Sequence, residues 1–247
     1  MPRVAKAYIA LVVASGTTVL LFAAGSWSSA NLRQFVIYLG LAALASTFKI
    51  RIPGMECTMS PNFVFIILGM ATCTFSQLVA ISLTAALVQS FWASAKRPRL
   101  VQVAFSGASL ILSSTFACKV SRLFLAASGT QSSFALVLLA GSLYFPLNSA
   151  LVSLVISLVE GQSMKHSFQR CYECVFPYFM GGIVYAGLVS SAYTGSTAWT
   201  GALLLVPAAV LAHIYFLSRS VRVMPSTVPD CSVEPECTVE AGSFPRH

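Results

Sequence analysis

The chain has 247 residues and a net charge of +8, with 57% apolar and only 9% charged residues and a mean hydropathy of +0.80. An average soluble domain is about 25% charged, and only Glu56, Glu160 and Glu173 are acidic in the first 222 residues, too few to solvate a surface of that size. A soluble enzyme, a nucleic-acid-binding domain and a disordered chain are therefore excluded as the main body. Most of the surface must face lipid, and the positive charge reads as membrane topology.

A helix needs about 20 mostly apolar residues to cross roughly 30 Å of hydrocarbon. In chain order, spans are expected at Ala7 to Gly25, Gln34 to Ile50, Pro61 to Phe75, Gln77 to Ser94, Leu100 to Cys118, Ser133 to Glu160, Val175 to Ala192 and Ala198 to Ser218. The polar residues around Thr74, Phe75 and Ser76 mark a tight hairpin between the third and fourth. The sixth segment would form a helix of roughly 42 Å. It is either one long helix interrupted at Pro146 or two short ones.

Lysine and arginine positions arbitrate. With the sixth segment as one helix, Arg3, Lys6, Lys49, Arg51, Lys96, Arg97, Arg99, Lys165, Arg170, Arg219 and Arg222 fall on one side, against Arg33, Lys119 and Arg122 on the other. Splitting it equalises the two sides. The positive-inside rule favours the asymmetric arrangement. The expected fold is therefore all-α, a polytopic integral membrane helix bundle of about eight transmembrane helices with both termini cytoplasmic. A cleaved signal sequence is the main competitor for the first span, because Arg3 and Lys6 precede an apolar run that ends in Ala23, Ala24 and Gly25. Residues 1–222 form the expected membrane domain. Residues 223–247 carry four acids, four prolines and one arginine and read as a disordered acidic tail.

Cys171 and Cys174 form a C-Y-E-C spacing in the loop expected before the seventh span, with His166 nearby and Cys231 and Cys237 in the tail. A lone CxxC is a weak metal signal, and no metal or other cofactor is expected. Catalytic residues are not expected either, because no paired carboxylates or nucleophile–base set is evident. His213 is the one histidine placed inside a span, with no evident carboxylate partner.

Two basic loops stand out. In the stretch from Lys49 to Asn62, two cations precede Pro53-Gly54, and Thr58, Ser60 and Asn62 then lead into an apolar run, where such groups can cap the third span. The alternative is a hairpin that docks a partner or a lipid headgroup. Lys96, Arg97 and Pro98, followed by Gln102, are similar: a topology anchor first and an anionic-lipid contact second. Near the middle of the sixth segment Pro146 frees a carbonyl, and Asn148 beside it serves either to stabilise a kink or to line a pocket. Tyr144, Asn148, Tyr178 and Tyr185 are the candidate polar handles of an intramembrane cavity. Gly182 and Ala186 read as a close-packing pair.

The motifs K-I-R-I-P-G, T-M-S-P-N-F-V-F-I-I-L-G, L-V-Q-S-F-W, K-R-P-R-L-V-Q-V-A-F and F-P-Y-F-M-G-G, in that order, resemble the membrane-associated sensor (MASE-type) domain that precedes bacterial diguanylate cyclases and HD-GYP phosphodiesterases. The likeness covers about residues 30 to 218. It rests on Lys49, Arg51, Pro53, Gly54, Thr58, Ser60 and Phe63, on Gln89 and Trp92, on Arg97, Pro98, Gln102 and Phe105, and on Asn148, Pro177 and Tyr178. Met55-Glu56-Cys57 and Ser106 depart from it.

The resemblance implies a sensor coupled to cyclic di-GMP signalling in a bacterial inner membrane. The family's last helix runs into an enzyme, whereas here Arg219 to Arg222 lead into the acidic tail. The expectation is thus a non-enzymatic module that binds a small or lipid-like signal. Its expected partners are the lipid bilayer and a cytoplasmic signalling enzyme in trans, with a homodimer left open and no nucleic acid. The alternative is a vitamin-like substrate-binding membrane subunit of a transporter, because the early hairpin resembles the S components of energy-coupling-factor transporters.

Overall fold

The computed structural model describes residues 2–48, 50–51, 58–92, 98–161 and 163–192, all within the unit Met1–Val206. The expected eighth span with His213, and the acidic tail, lie outside the described residues. Seven helices occur among the described residues, α1 (Arg3–Gly25), α2 (Leu32–Thr47), α3 (Phe63–Thr72), α4 (Phe75–Phe91), α5 (Leu100–Ala127), α6 (Ser133–Glu160) and α7 (Met164–Ala192). A two-residue antiparallel ladder pairs β1 (Ile50–Arg51) with β2 (Thr58–Met59).

Helices α1, α5 and α6 are each long and apolar enough to cross a membrane, and α2, α3, α4 and Val175–Ser191 are shorter apolar helices. The described residues are thus helical apart from the short β1–β2 ladder, an arrangement compatible with a membrane helix bundle. Its outward residues agree, since Leu11, Leu21, Phe22, Val36, Phe116 and Leu123 are all exposed. Within the apolar window of α5, 56% of residues are buried, against 22% for α1 and 17% for α6. Helix α5 is thus the interior one of the three long helices, and α1 and α6 flank it.

Two helices run further than their apolar runs. Helix α5 continues past Lys119 to Ala127, and α7 begins at Met164 rather than Val175. Cys171 and Cys174 therefore lie in a helix and not in a loop. Hydropathy stops at the first charges, but helical hydrogen bonding does not. Helix α6 is one uninterrupted helix with Pro146 inside it, so the missing amide at Pro146 is absorbed without ending the helix.

Helix α3 has only ten residues, about 15 Å of rise. It nevertheless runs the depth of α2. Ser60 bonds to Ala45 near one end of α2, and Thr72 accepts from Asn31 at the other. Ser60, Pro61 and Asn62, the last two in a turn that leads into α3, make up the difference. Every residue from Phe63 to Met70 is buried, as expected of a helix that is hydrophobic all round. It packs against α2, α4, α5, α6 and α7.

Between helices in lipid, burying apolar surface gives little net drive, so close approach and hydrogen bonds set the geometry. At Gly16 a Cβ would stand 2.5 Å from Ala108 Cβ and 2.7 Å from Ala108 Cα, so α1 and α5 touch backbone to backbone. About two turns earlier, the Tyr8 hydroxyl donates to the Leu151 carbonyl of α6 at 3.1 Å. Tyr8→Phe should cost only about 0.6 kcal/mol, the average for such interhelical bonds. Thermal unfolding in detergent tests this, and a loss several times larger would show that the contact organises the α1–α6 interface.

Candidate functional site

A buried helix leaves its first amides and last carbonyls without water, so other elements must satisfy them. At the C-terminal end of α3, Arg122 Nη2 donates to the Met70 carbonyl at 2.8 Å and Cys118 Sγ approaches it at 3.5 Å. Asn31 Nδ2 donates to the Thr72 carbonyl at 2.9 Å. The next turn is held by Gln77, whose Nε2 donates to the Ser28 and Ala30 carbonyls of the α1–α2 connection. Its Oε1 accepts the Thr74 amide at 3.1 Å, while Thr74 Oγ1 accepts the Gln77 amide at 3.5 Å.

At the N-terminal end of α3 the expected capping does not occur. Asn62 has helical backbone angles, φ −59° and ψ −25°, and its side chain makes no cap bond, because a capping side chain needs a non-helical backbone to reach back. Instead Asn62 Nδ2 donates to Ser46 Oγ at 3.0 Å and to Gln89 Oε1 at 3.1 Å. Ser60 Oγ donates to the Ala45 carbonyl at 2.9 Å. A buried network of amides and hydroxyls thus ties α2, α3 and α4 together.

The next residue, Phe63, starts an aromatic cluster. Its ring stacks on Phe179 at 4.2 Å and meets Tyr178 edge-on at 5.9 Å. Phe179 also packs against Phe145 at 4.4 Å and Tyr144 at 6.0 Å. Gly182 makes room for the Phe63 ring, since a Cβ there would lie 2.4 Å from it. The first turn of α3 therefore joins a polar network to an aromatic cluster.

Of the four candidate polar handles, Tyr144 and Tyr178 meet in this cluster. Asn148 lies one turn along α6 from Tyr144, and its Oδ1 is buried with no hydrogen-bond partner. Tyr185 is two turns along α7 from Tyr178, about 10 Å by helix rise. Its buried hydroxyl also lacks a partner, but it does not belong to the same group. The structure thus brings Tyr144, Tyr178 and, through α3, Ser60 together, and leaves Tyr185 apart.

The remaining candidates have other positions. Arg51 and Thr58 pair across the β1–β2 ladder. Gln102 Oε1 accepts the Arg99 amide at 3.1 Å, which caps the start of α5, and Pro98 is half-buried just before it. Lys49, Pro53, Gly54, Lys96 and Arg97 lie outside the described residues. Comparison with protein-family models, curated proteins and solved structures finds no match to this chain.

What the site offers is aromatic faces, tyrosine hydroxyls and one unpaired amide acceptor. Such a set suits binding of an apolar molecule with a hydrogen-bond donor. Among the described residues no three metal-ligating side chains gather. Two structural groups went unmarked in the sequence reading. The Thr74-Phe-Ser-Gln77 run is a capping-box pattern and was open to detection, whereas Arg122 meets Met70 across 52 positions of sequence and carries no local signal.

Proposed function

We propose that this chain is a non-enzymatic membrane sensor or regulatory module that binds a small or lipid-like signal and acts on a cytoplasmic partner in trans. The observation that carries the proposal is the unpaired Asn148 Oδ1 beside the Tyr144–Phe179–Phe63 cluster. A buried acceptor without a donor costs free energy, and a ligand that supplies a donor there recovers it. Movement of Phe63 on binding would pass to Asn62 and so to α2 and α4, whose cytoplasmic ends flank the basic loops. A ligand shifts such an arrangement only through unequal affinity for its two states. The MASE-like motifs suggest cyclic di-GMP turnover as the output.

The test compares cellular cyclic di-GMP in cells lacking the chain, or carrying it as wild type or as Asn148→Leu. A change with wild type that disappears in the variant at equal abundance supports the reading. Identical levels in all three would overturn it.

The proposed topology has eight spans and cytoplasmic termini, supported by the cation asymmetry. Alkaline phosphatase fused after Thr130 is then expected to be active, and fused after Gly161 inactive. The reverse pattern would invert the assignment.

A further inference from the structure

A recess of about 480 Å³ lies at the opposite end of the bundle from the Asn62 network. Its walls come from the end of α1, the α3–α4 turn and the second half of α5, with Phe22, Phe75, Thr115, Cys118, Lys119 and Arg122 among them. That volume is within the usual range of small-molecule sites, about 300–1,000 Å³. We propose that this recess binds a phosphate group, with Lys119 and Arg122 as its cationic contacts.

Two cations line the recess and no carboxylate does. Lys119 Nζ rests over the Phe75 ring, 5.1 Å from its centroid. Arg122 gives one donor to the Met70 carbonyl, and a guanidinium has further donors in the same plane. A ring and a carbonyl orient these cations without neutralising them. A forked guanidinium beside an ammonium is the arrangement that recognises phosphate oxygens.

The wall hydroxyls are already engaged. Ser26 donates to the Phe22 carbonyl, Ser76 to the Ser26 carbonyl and Thr115 to the Ile111 carbonyl. With these hydroxyl protons committed to the backbone, the donors left to an anion in the recess include the two cations, the Thr74 hydroxyl, whose oxygen accepts from the Gln77 amide, and the first amides of α4. The amino end of α4 opens onto the same space through Thr74, Phe75 and Ser76, and its dipole adds to the field.

Lys119 lies roughly 28 Å along α5 from Leu100, about the thickness of the hydrocarbon. The recess therefore opens where lipid headgroups meet water. A phosphate there comes either from an anionic lipid or from a soluble compound.

Two arms on the full chain in neutral detergent separate these sources. In the first, thermal unfolding is followed in inorganic phosphate and in chloride at matched ionic strength. In the second, native mass spectrometry compares retention of phosphatidylglycerol with that of phosphatidylcholine. Lys119→Gln leaves the Arg122–Met70 bond intact and should weaken binding about tenfold, as expected for one charge-assisted hydrogen bond, with Lys119→Arg restoring it. Stabilisation by phosphate identifies a soluble ligand, and preferential retention of phosphatidylglycerol identifies a headgroup. The proposal is overturned if neither preference is seen, or if Lys119→Gln binds as the wild type does. Cyclic di-GMP levels do not enter this test, so its outcome is separate from that of the signal site.

Discussion

Replacing Gln77 with alanine is expected to lower stability by about 3 kcal/mol, the largest loss expected from any single polar side chain described. Gln77 is fully buried. One amide serves three backbone groups, donating to the carbonyls of Ser28 and Ala30 and accepting from the amide of Thr74. Each buried group left without a partner costs about 1–3 kcal/mol, and water reaching the α1–α2 connection offsets part of that. Gln77→Glu is the sharper variant. It has nearly the same shape and keeps the acceptor for Thr74, but it sets a second oxygen against two carbonyls that need a donor. It should therefore be at least as damaging as alanine, although it is the smaller chemical change. Thermal unfolding in detergent gives the comparison. A glutamate variant as stable as wild type would mean that the two carbonyl bonds contribute nothing to the fold.

The contrast between Gln77 and the apolar helices explains what the sequence makes legible. Helix order follows from composition, because lipid demands long apolar runs and the runs announce themselves. All seven described helices fall where such runs are expected. Their ends are less legible. Lys119 and Lys165 interrupt hydropathy without interrupting hydrogen bonding, so α5 and α7 extend past them. The short length of α3 was hidden for a different reason. The run from Pro61 to Phe75 has the composition of a span, but the helix within it covers only Phe63–Thr72, and the side chains of Ser60 and Asn62 just before it are spent on α2 and α4.

The site was legible only in pieces. Tyr144 and Tyr178 are aromatic residues in apolar helices, and nothing local says that Phe179 and Phe63 lie between them. The register of α6 against α7 decides it. That register is set by Gly141 under Ile183 and Gly187 under Phe134, contacts separated by more than forty residues. The same register leaves Tyr185 away from the cluster. Long-range packing of this kind has no signature in a single sequence.

Gly182→Ala tests whether that packing carries a signal. The added Cβ would stand 2.4 Å and 2.5 Å from two carbons of the Phe63 ring and 3.2 Å from Val64 Cγ2. Phe63 has little freedom to yield, because it is stacked on Phe179 and bordered by Tyr178 on the same helix. Any retreat drags the first turn of α3, and with it Asn62 and its bonds to Ser46 and Gln89. Overpacking of this kind costs about 1–3 kcal/mol. Phe63→Leu removes ring carbons that the methyl group would strike, so the double variant should be less destabilised than the sum of the two singles. A coupling of about 1 kcal/mol or more, within the range for residues in contact, is the expected result of the cycle. Simple additivity would show that α7 can slide away from α3 without strain. In that case the aromatic cluster could not transmit a ligand's position to the Asn62 network, and the route from the Asn148 site to α2 and α4 would fail even if binding there were observed.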